Sequence, residues 1–382
     1  MPNTFYLFKK LIMVMQKNRF KFLFAGGGTG GHLFPAVAVA EKIKAILPEA
    51  DILFVGAKTR IEGRFVPKLG FKFKPIWIKG FSRRISMDNL LFPLKLIVSL
   101  VQSVIINLKF RPSVAIGTGG YVAGPAIWGS SLVGAKIILI EQNSYPGVTT
   151  KLLQKYADEI HLSYEDSKKY FRNEHKLHMT GNPVRENLVR TKKSDALQKF
   201  EFNPQRKTLL ILGGSLGASS INSVVASNLK SLTELEIQVI WQTGIAYYEK
   251  HKNLSSEKVW ISAFIENMND AYSACDLVLA RAGATSIAEI LFLGVPAILV
   301  PSPNVAENHQ FFNAKSLADK GAALMLEDKD LNEKFVSEIK SSLFDDSRLS
   351  QMSQIAKQLS KPEATSVIAQ NAIRYAKQQT IN

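Results

Sequence analysis

Cysteine is almost absent from this chain: Cys275 is the only one in 382 residues. A single thiol excludes a disulfide framework and a cysteine-based zinc site, and it suits a reducing compartment. Its neighbours, Ala274 and Asp276-Leu277-Val278-Leu279, mark it as a small buried filler. Acidic residues are also few, 32 against 48 lysines and arginines, which leaves a net charge of +16. That excess favours anionic partners such as nucleic acid, acidic lipid or a phosphorylated substrate. The chain has no zinc-finger spacing, no arginine-rich tract and no aromatic-basic RNA motif, so nucleic acid is not expected. Long apolar runs are missing too, and no uninterrupted stretch reaches the roughly 18 residues of a membrane span. The leading residues, Met1 to Asn18, mix lysines with a short patch, Leu11-Ile12-Met13-Val14-Met15, and show no small-residue cleavage site. They read as a loose extension and not as a signal peptide.

What the chain does have is a hydrophobic content of 46% over a length that exceeds one ordinary core, so two packed domains are expected. Near-continuous apolar runs alternate with helical patterns in the first half: Lys21-Phe22-Leu23-Phe24, Asp51 to Val55, Pro75 to Ile78, Ser113 to Ile116, Lys136 to Ile140 and Glu159 to Leu162. That alternation predicts a parallel sheet covered on both faces. After Gly181-Asn182-Pro183-Val184-Arg185 and a lysine-rich linker, the alternation resumes at Lys207 to Leu212, Ile237 to Trp241, Val259 to Ser262, Leu277 to Ala280, Pro296 to Val300 and Ala322 to Leu326. Both halves are therefore predicted to be doubly wound α/β domains, with ligands at the carboxyl ends of their strands.

Each half opens with a glycine turn between a strand and a helix. The first is Gly26-Gly27-Gly28-Thr29-Gly30-Gly31-His32, which formally fits a dinucleotide fingerprint. The second strand ends in Val55-Gly56-Ala57, however, without the acidic residue a nicotinamide site wants. The second turn, Gly213-Gly214-Ser215-Leu216-Gly217, adds a hydroxyl to the amides of a helix start and suits a diphosphate. A third strand-to-helix junction, Arg281-Ala282-Gly283-Ala284-Thr285-Ser286-Ile287-Ala288-Glu289, offers amides and a carboxylate. By spacing alone Glu289 fits either a ribose ligand or a solvated helix residue. The polar run Glu307-Asn308-His309-Gln310 fits sugar recognition or a plain helix start. In Asn89 to Phe110, Leu94, Ile97, Val98, Val101, Val104, Ile105 and Leu108 recur at helical spacing, with Lys79, Arg83, Arg84, Lys95, Lys109 and Arg111 around them. That pattern fits a buried crossover helix or a basic, apolar surface lying on an anionic membrane.

GGGTGGH, GTGGYVAGP (Gly117 to Pro125), IEQNSYPG (Ile140 to Gly147), GNPVR, GGSLGA, FIENM (Phe264 to Met268), RAGATSIAE and ENHQFFNA stand in this order from about Lys21 onward. Together they resemble the MurG family, the peripheral membrane N-acetylglucosaminyltransferases of peptidoglycan synthesis. The resemblance implies a GT-B fold, two Rossmann-like domains facing a central cleft. Its domains would be an extension at 1–20, an acceptor and membrane-associated domain at 21–184 joined by a C-terminal helix at 364–382, and a donor domain at 185–363. It implies inverting transfer of N-acetylglucosamine from UDP-N-acetylglucosamine to the 4-hydroxyl of undecaprenyl-pyrophosphoryl-muramyl-pentapeptide, at the cytoplasmic face of the inner membrane, with residues 79–111 on the anionic surface.

By the same resemblance Ile265 meets uracil through its backbone, Arg185 fixes the nucleotide end, Ser215 takes the diphosphate and Glu289 the ribose. Ala284, Thr285, Ser286, Ile287, Ala288 and Gln310 approach the diphosphate or the sugar, and Thr29, Gly30, Gly31 and Asn143 reach the transferred sugar. His32 is the first candidate for general base and Glu141 the second. Leu216, where relatives often carry glutamine, and Ser286, in place of a frequent threonine, depart from the pattern and bear on donor affinity. The sequence is read as showing no Asp-x-Asp pair of the kind metal-dependent sugar transferases use, so neither a required metal nor a cofactor is implied. Two other readings share the architecture: a different UDP-sugar transferase, and a UDP-N-acetylglucosamine epimerase, which would place several acidic residues around the sugar.

Overall fold

The computed structural model describes residues 20–80, 91–214, 217–305 and 308–381. The chain divides into two compact units, residues 1–186 with 362–382, and residues 187–361. In the first, β1 (Lys21–Gly26), β2 (Asp51–Gly56), β3 (Lys72–Pro75), β4 (Val114–Gly119), β5 (Lys136–Glu141), β6 (Glu159–Leu162) and β7 (Leu177–His178) form a parallel sheet in the order β3-β2-β1-β4-β5-β6-β7. In the second, β8 (Thr208–Leu212), β9 (Gln238–Gln242), β10 (Val259–Ser262), β11 (Leu277–Arg281), β12 (Ala297–Val300) and β13 (Leu324–Met325) follow the order β10-β9-β8-β11-β12-β13. Both orders reverse beside the first strand, between β1 and β4 and between β8 and β11. Such a switch point opens a crevice at the strands' carboxyl ends.

The first unit's helices are α1 (Gly30–Ile46), α2 (Ile61–Lys68), α3 (Phe92–Phe110), α4 (Ala123–Leu132) and α5 (Val148–Leu153). The second unit has α6 (Lys193–Gln198), α7 (Ser219–Glu234), α8 (Tyr248–His251), α9 (Met268–Ala274), α10 (Ala284–Leu293), α11 (His309–Ala318), α12 (Leu331–Leu343) and α13 (Asp346–Leu359). The last helix, α14 (Ala364–Ile381), belongs to the first unit again. Strand β1 shows why the apolar runs are continuous: Phe22 and Phe24 pack into the core beneath α1 and α14, while Leu23 and Ala25 pack into the opposite core with α4. Cys275 lies buried in the second unit, and burial pushes its thiol up to about 12, which leaves it an unreactive filler.

Two local expectations are corrected. The run Pro75 to Ile78 is not a strand; pairing with β2 covers Lys72–Pro75, and the Trp77 N–H instead donates to Gln102 Oε1 at 2.7 Å. The second settles an alternative left open for α3, which is not a buried crossover helix. Its inward face is polar, with Lys95, Ser99, Ser103 and Asn107 all buried. Asn107 donates to the Ala126 carbonyl at 3.3 Å and accepts from Ser130 Oγ at 2.7 Å, and Gly129 lets α4 approach the Ser103 backbone closely. The apolar stripe faces outward: Leu94, Ile97, Val101, Ile105 and Leu108 are 46–59% exposed. Lys95 is not among the exposed cations, since its ammonium lies over the Trp77 ring. By length and composition α3 is the one helix among the described residues long and apolar enough to cross a membrane.

Candidate active site

The crevice of the first unit is built from the ends of β1, β2 and β4. The register between β1 and β4 slips after Ala25, so Gly26 pairs with Gly119 instead of Thr118. The slip turns the Thr118 hydroxyl onto the His32 carbonyl at 2.6 Å. Only glycine fits at position 26, because a Cβ there would lie 1.7 Å from that hydroxyl. Thr29, exposed and in extended conformation, then caps α1, whose first turn is Gly30, Gly31 and His32.

His32 Nδ1 lies 3.3 Å from the Gly27 carbonyl and 3.4 Å from Thr29 Oγ1. A carbonyl only accepts, so the Gly27 contact is a hydrogen bond in the tautomer that has hydrogen on Nδ1 and the lone pair on Nε2. The glycines after β4 make room for this ring. A Cβ at Gly119 would meet His32 Cδ2 at 3.0 Å, and one at Gly120 would lie 2.4 Å from the Gly27 oxygen. The glycine turn is not an open phosphate cradle. The Gly28 N–H already donates to Glu62 Oε2 at 2.9 Å, and Glu62 is 1% exposed.

Beyond β5, Glu141 is buried and its carboxylate gathers the following loop. It accepts from the Asn143 N–H at 3.1 Å, from Asn143 Nδ2 at 3.3 Å and from the Gly147 N–H at 3.1 Å. Burial pushes its carboxyl above the ordinary range, against hydrogen bonds from Thr150, Asn143 and Gly147. These contacts make Glu141 the anchor that holds Asn143 in place. Arg185 also lies in the first unit, where its charge opposes the upward push of burial on Glu41 of α1.

The crevice of the second unit lies beyond β8, β9 and β11. Gly214 and Gly217 take positive φ, and Gly217 packs on the Thr243 carbonyl. Ser215 and Leu216 lie outside the described residues. Gln242, at the end of β9, links two predicted contacts: its Oε1 accepts from the Ile265 N–H at 2.9 Å and its Nε2 donates to the Gly214 carbonyl at 3.4 Å. The Ile265 N–H is thus committed within the protein. Arg281 fastens the strand ends by donating to the Val300 and Pro301 carbonyls, to Asp328 at 2.5 Å and to Ser220 at 2.6 Å.

After Gly283, Ala284, Thr285 and Ser286 form the first turn of α10, with Ile287 buried and Ala288 half-buried behind them. A helix start of this kind attracts anions. Glu289 is no solvated helix residue; it is buried and accepts from the Tyr272 hydroxyl at 3.1 Å. Gln310 spends its oxygen on the Ser302 N–H at 2.9 Å, which makes its NH2 the donor end. The expected absence of an Asp-x-Asp pair needs a correction, because that spacing occurs at Asp328-Lys329-Asp330. Asp328 is tied to Arg281 and Asp330 to Lys334. Among the described residues no cluster of three or more His, Cys, Asp or Glu side chains suits a metal ion.

Glu62, Gln242 and Tyr272 were not foreseen as parts of these corners, and Arg281 was named only as the start of the third junction. Glu62 reaches Gly28 across 34 residues, Gln242 reaches Ile265 across 23, Tyr272 reaches Glu289 across 17, and Arg281 reaches Asp328 across 47 and Ser220 across 61, separations that no local pattern encodes.

Comparison with known proteins gives a consistent result. The glycosyltransferase family 28 N-terminal domain matches residues 22–162, and the family 28 C-terminal domain matches residues 208–368. A UDP-N-acetylglucosamine–N-acetylmuramyl-(pentapeptide) pyrophosphoryl-undecaprenol N-acetylglucosamine transferase of Flavobacterium psychrophilum is 42% identical, covering 94% of this chain and 99% of its own. A protein of the same name from Thermoanaerobacter is 40% identical, covering 91% and 98%. The crystal structure of Acinetobacter baumannii MurG aligns with a TM-score of 0.72 at 26% identity, over 93% of this chain and 99% of that one. A calicheamicin glycosyltransferase aligns with a TM-score of 0.69 at 11% identity over 94% and 98%, a likeness of fold alone.

Proposed function

The chain belongs to the MurG family within glycosyltransferase family 28 and transfers N-acetylglucosamine from UDP-N-acetylglucosamine to the lipid-linked muramyl-pentapeptide; we propose that its first unit performs the acceptor chemistry and its second holds the donor. The observation that carries the first assignment is the bond from His32 Nδ1 to the Gly27 carbonyl, which sets Nε2 as the basic nitrogen. In this reading Nε2 takes the proton of the acceptor's 4-hydroxyl as that oxygen attacks C1 of the sugar from the face opposite UDP. The C1–O bond to the diphosphate breaks, its electron pair leaves with UDP, and the configuration inverts. Base assistance of this kind is worth about 10²- to 10⁴-fold.

The leaving diphosphate gains charge, and the first turn of α10, from Ala284 to Ser286, stabilises it together with the glycine loop after β8. Glu289, oriented by Tyr272, accepts from the ribose hydroxyls. With its N–H committed to Gln242, Ile265 meets uracil through its carbonyl. Gln310 donates through its NH2 group, and Asn143 and residues 29–31 bind the transferred sugar, with Glu141 holding Asn143 in place. The His32→Ala variant should turn over at least about tenfold more slowly while binding UDP normally. Steady-state kinetics with labelled donor, run with and without the lipid-linked acceptor, tests this. Near-normal turnover removes His32 as the essential base.

The outward face of α3 supports a peripheral site on the cytoplasmic leaflet. An apolar stripe with the half-exposed Trp77 beside it and Lys79, Lys109 and Arg111 around it suits an anionic surface, where the lipid-linked acceptor is met. Arg83 and Arg84, named with this surface, lie outside the described residues.

A further inference from the structure

The Glu62 side chain rises from the first turn of α2 into the ends of two strands. Its Oε1 accepts from the Ala57 N–H at 3.0 Å, just after β2, and its Oε2 accepts from the Gly28 N–H at 2.9 Å, just after β1. Both strand ends are shaped around it: a Cβ at Gly27 would lie 2.4 Å from the carboxylate carbon, and one at Gly56 would lie 2.5 Å from Glu62 Cγ. With 1% exposure, the side chain is enclosed between the two strand ends.

The Gly28 N–H and the Gly27 carbonyl belong to one peptide group. Glu62 holds the N–H end of that group, and the carbonyl end accepts from His32 Nδ1 at 3.3 Å. A charge accepting at one end of a peptide polarises the carbonyl at the other, and bonds in such a chain strengthen one another. The peptide is also clamped in rotation, because Gly120 packs directly against its oxygen. We propose that Glu62 is the positioning residue for His32: acting through the Gly27–Gly28 peptide, its carboxylate holds the imidazole with hydrogen on Nδ1 and the lone pair on Nε2. The chain thereby has a carboxylate–peptide–histidine relay. The same carboxylate takes up the Gly28 N–H of the glycine turn. The catalytic consequence rests on the reading of His32 as base; the tautomer does not.

The test begins with the whole unmodified chain labelled with ¹⁵N-histidine, the His32 signal being assigned by its loss in His32→Ala. Nitrogen shifts should show the Nδ1–H tautomer, and a dominant Nε2–H tautomer overturns the proposal without any change at Glu62. The isosteric Glu62→Gln, its fold checked by circular dichroism, should lower the Nδ1–H fraction and reduce kcat by about tenfold, a part of what a general base contributes. The affinity for UDP should stay within about twofold, since the groups assigned to uracil, ribose and diphosphate lie in the other unit. In the His32→Ala background the same change should cost less than about twofold in kcat. An equal loss in both backgrounds makes Glu62 a scaffold only and overturns the relay, as does an unaltered tautomer in Glu62→Gln. Should Glu62→Gln fail to fold, Glu62→Asp, which retains charge on a shorter arm, takes its place in the same comparisons. Near-normal turnover of His32→Ala alone overturns the catalytic part, and the tautomer measurement then decides the positioning part separately.

Discussion

At the scale of single residues, the two crevices depend on side chains that hold the backbone in place. His32 was legible because it stands at the lip of a glycine turn, where strand gives way to helix. Its partner Glu62 lies 34 residues from Gly28, and Gln242 lies 23 residues from Ile265. Neither separation leaves a mark in local spacing. Gln242 yields a prediction at this scale. Replacing it by leucine leaves the buried Ile265 N–H without an acceptor and removes the tie to the Gly214 carbonyl, costing about 1–3 kcal/mol. The KM for UDP-N-acetylglucosamine should rise by roughly an order of magnitude while kcat changes less, as for an interaction made equally in ground and transition states. Steady-state kinetics at saturating acceptor measure the split; an unchanged KM would show that the two segments keep their places unaided.

At the scale of elements, α3 shows how far periodicity reaches. Helical spacing identified the apolar stripe correctly, but periodicity does not say which face turns inward. Two contacts decide that: Asn107 with Ser130 and Ala126, and Ser103 with Gly129, where small and polar groups let α4 approach. With the small, polar face packed on α4, the apolar face is left outside. Changing Ile97 and Val101 together to aspartate should release the protein from vesicles of anionic lipid without altering its circular dichroism, because both side chains are more than half exposed. Vesicle co-sedimentation at low and high salt reads this. Salt should weaken the wild type's residual charge attraction, and variants that sediment like the wild type would remove α3 from the membrane surface.

At the scale of the whole molecule, the chain ends in the unit where it began. Helix α14 packs Ile368, Ala369, Ala372 and Ile373 against the core of the first sheet, and polar side chains fasten it to β6. Glu159 accepts from Arg374 at 2.6 Å, Asn371 at 2.9 Å and the Tyr375 hydroxyl at 3.0 Å, with His161 Nε2 at 3.2 Å. Burial alone would raise this carboxyl, but hydrogen bonds from His161 and Tyr375 and the nearby His161 and His178 outweigh it and hold it at about 2. Burial lowers His161 as well. Both groups bind protons more weakly folded than unfolded, so the stability they contribute is present above the unfolded pKa values and is lost as pH falls. Denaturation midpoints should therefore drop from about pH 6.5 downward as His161 becomes protonatable, and more steeply below about 4.5 as Glu159 does. In Glu159→Gln the lower part of that slope should flatten. An unchanged profile would mean that acid acts elsewhere than on this fastening.

The sequence by itself determined two parallel α/β halves, the glycine turns at their switch points, His32 at the first turn and the family to which the chain belongs. These follow from contacts local to a strand, a turn or a helix start, where residue type and spacing carry the physics. Edge positions were less legible: β3 ends at Pro75, with Trp77 drawn to Gln102, because an edge has one partner strand and weak pattern. Only the tertiary structure decided which face of α3 is buried and that the first glycine turn is already occupied by a carboxylate. It alone brought Glu62, Gln242 and Tyr272 to the residues they hold. Those outcomes depend on which side chains meet after distant strands pair, and the hydrogen bonds that settle them form only once burial makes an unmet polar group costly.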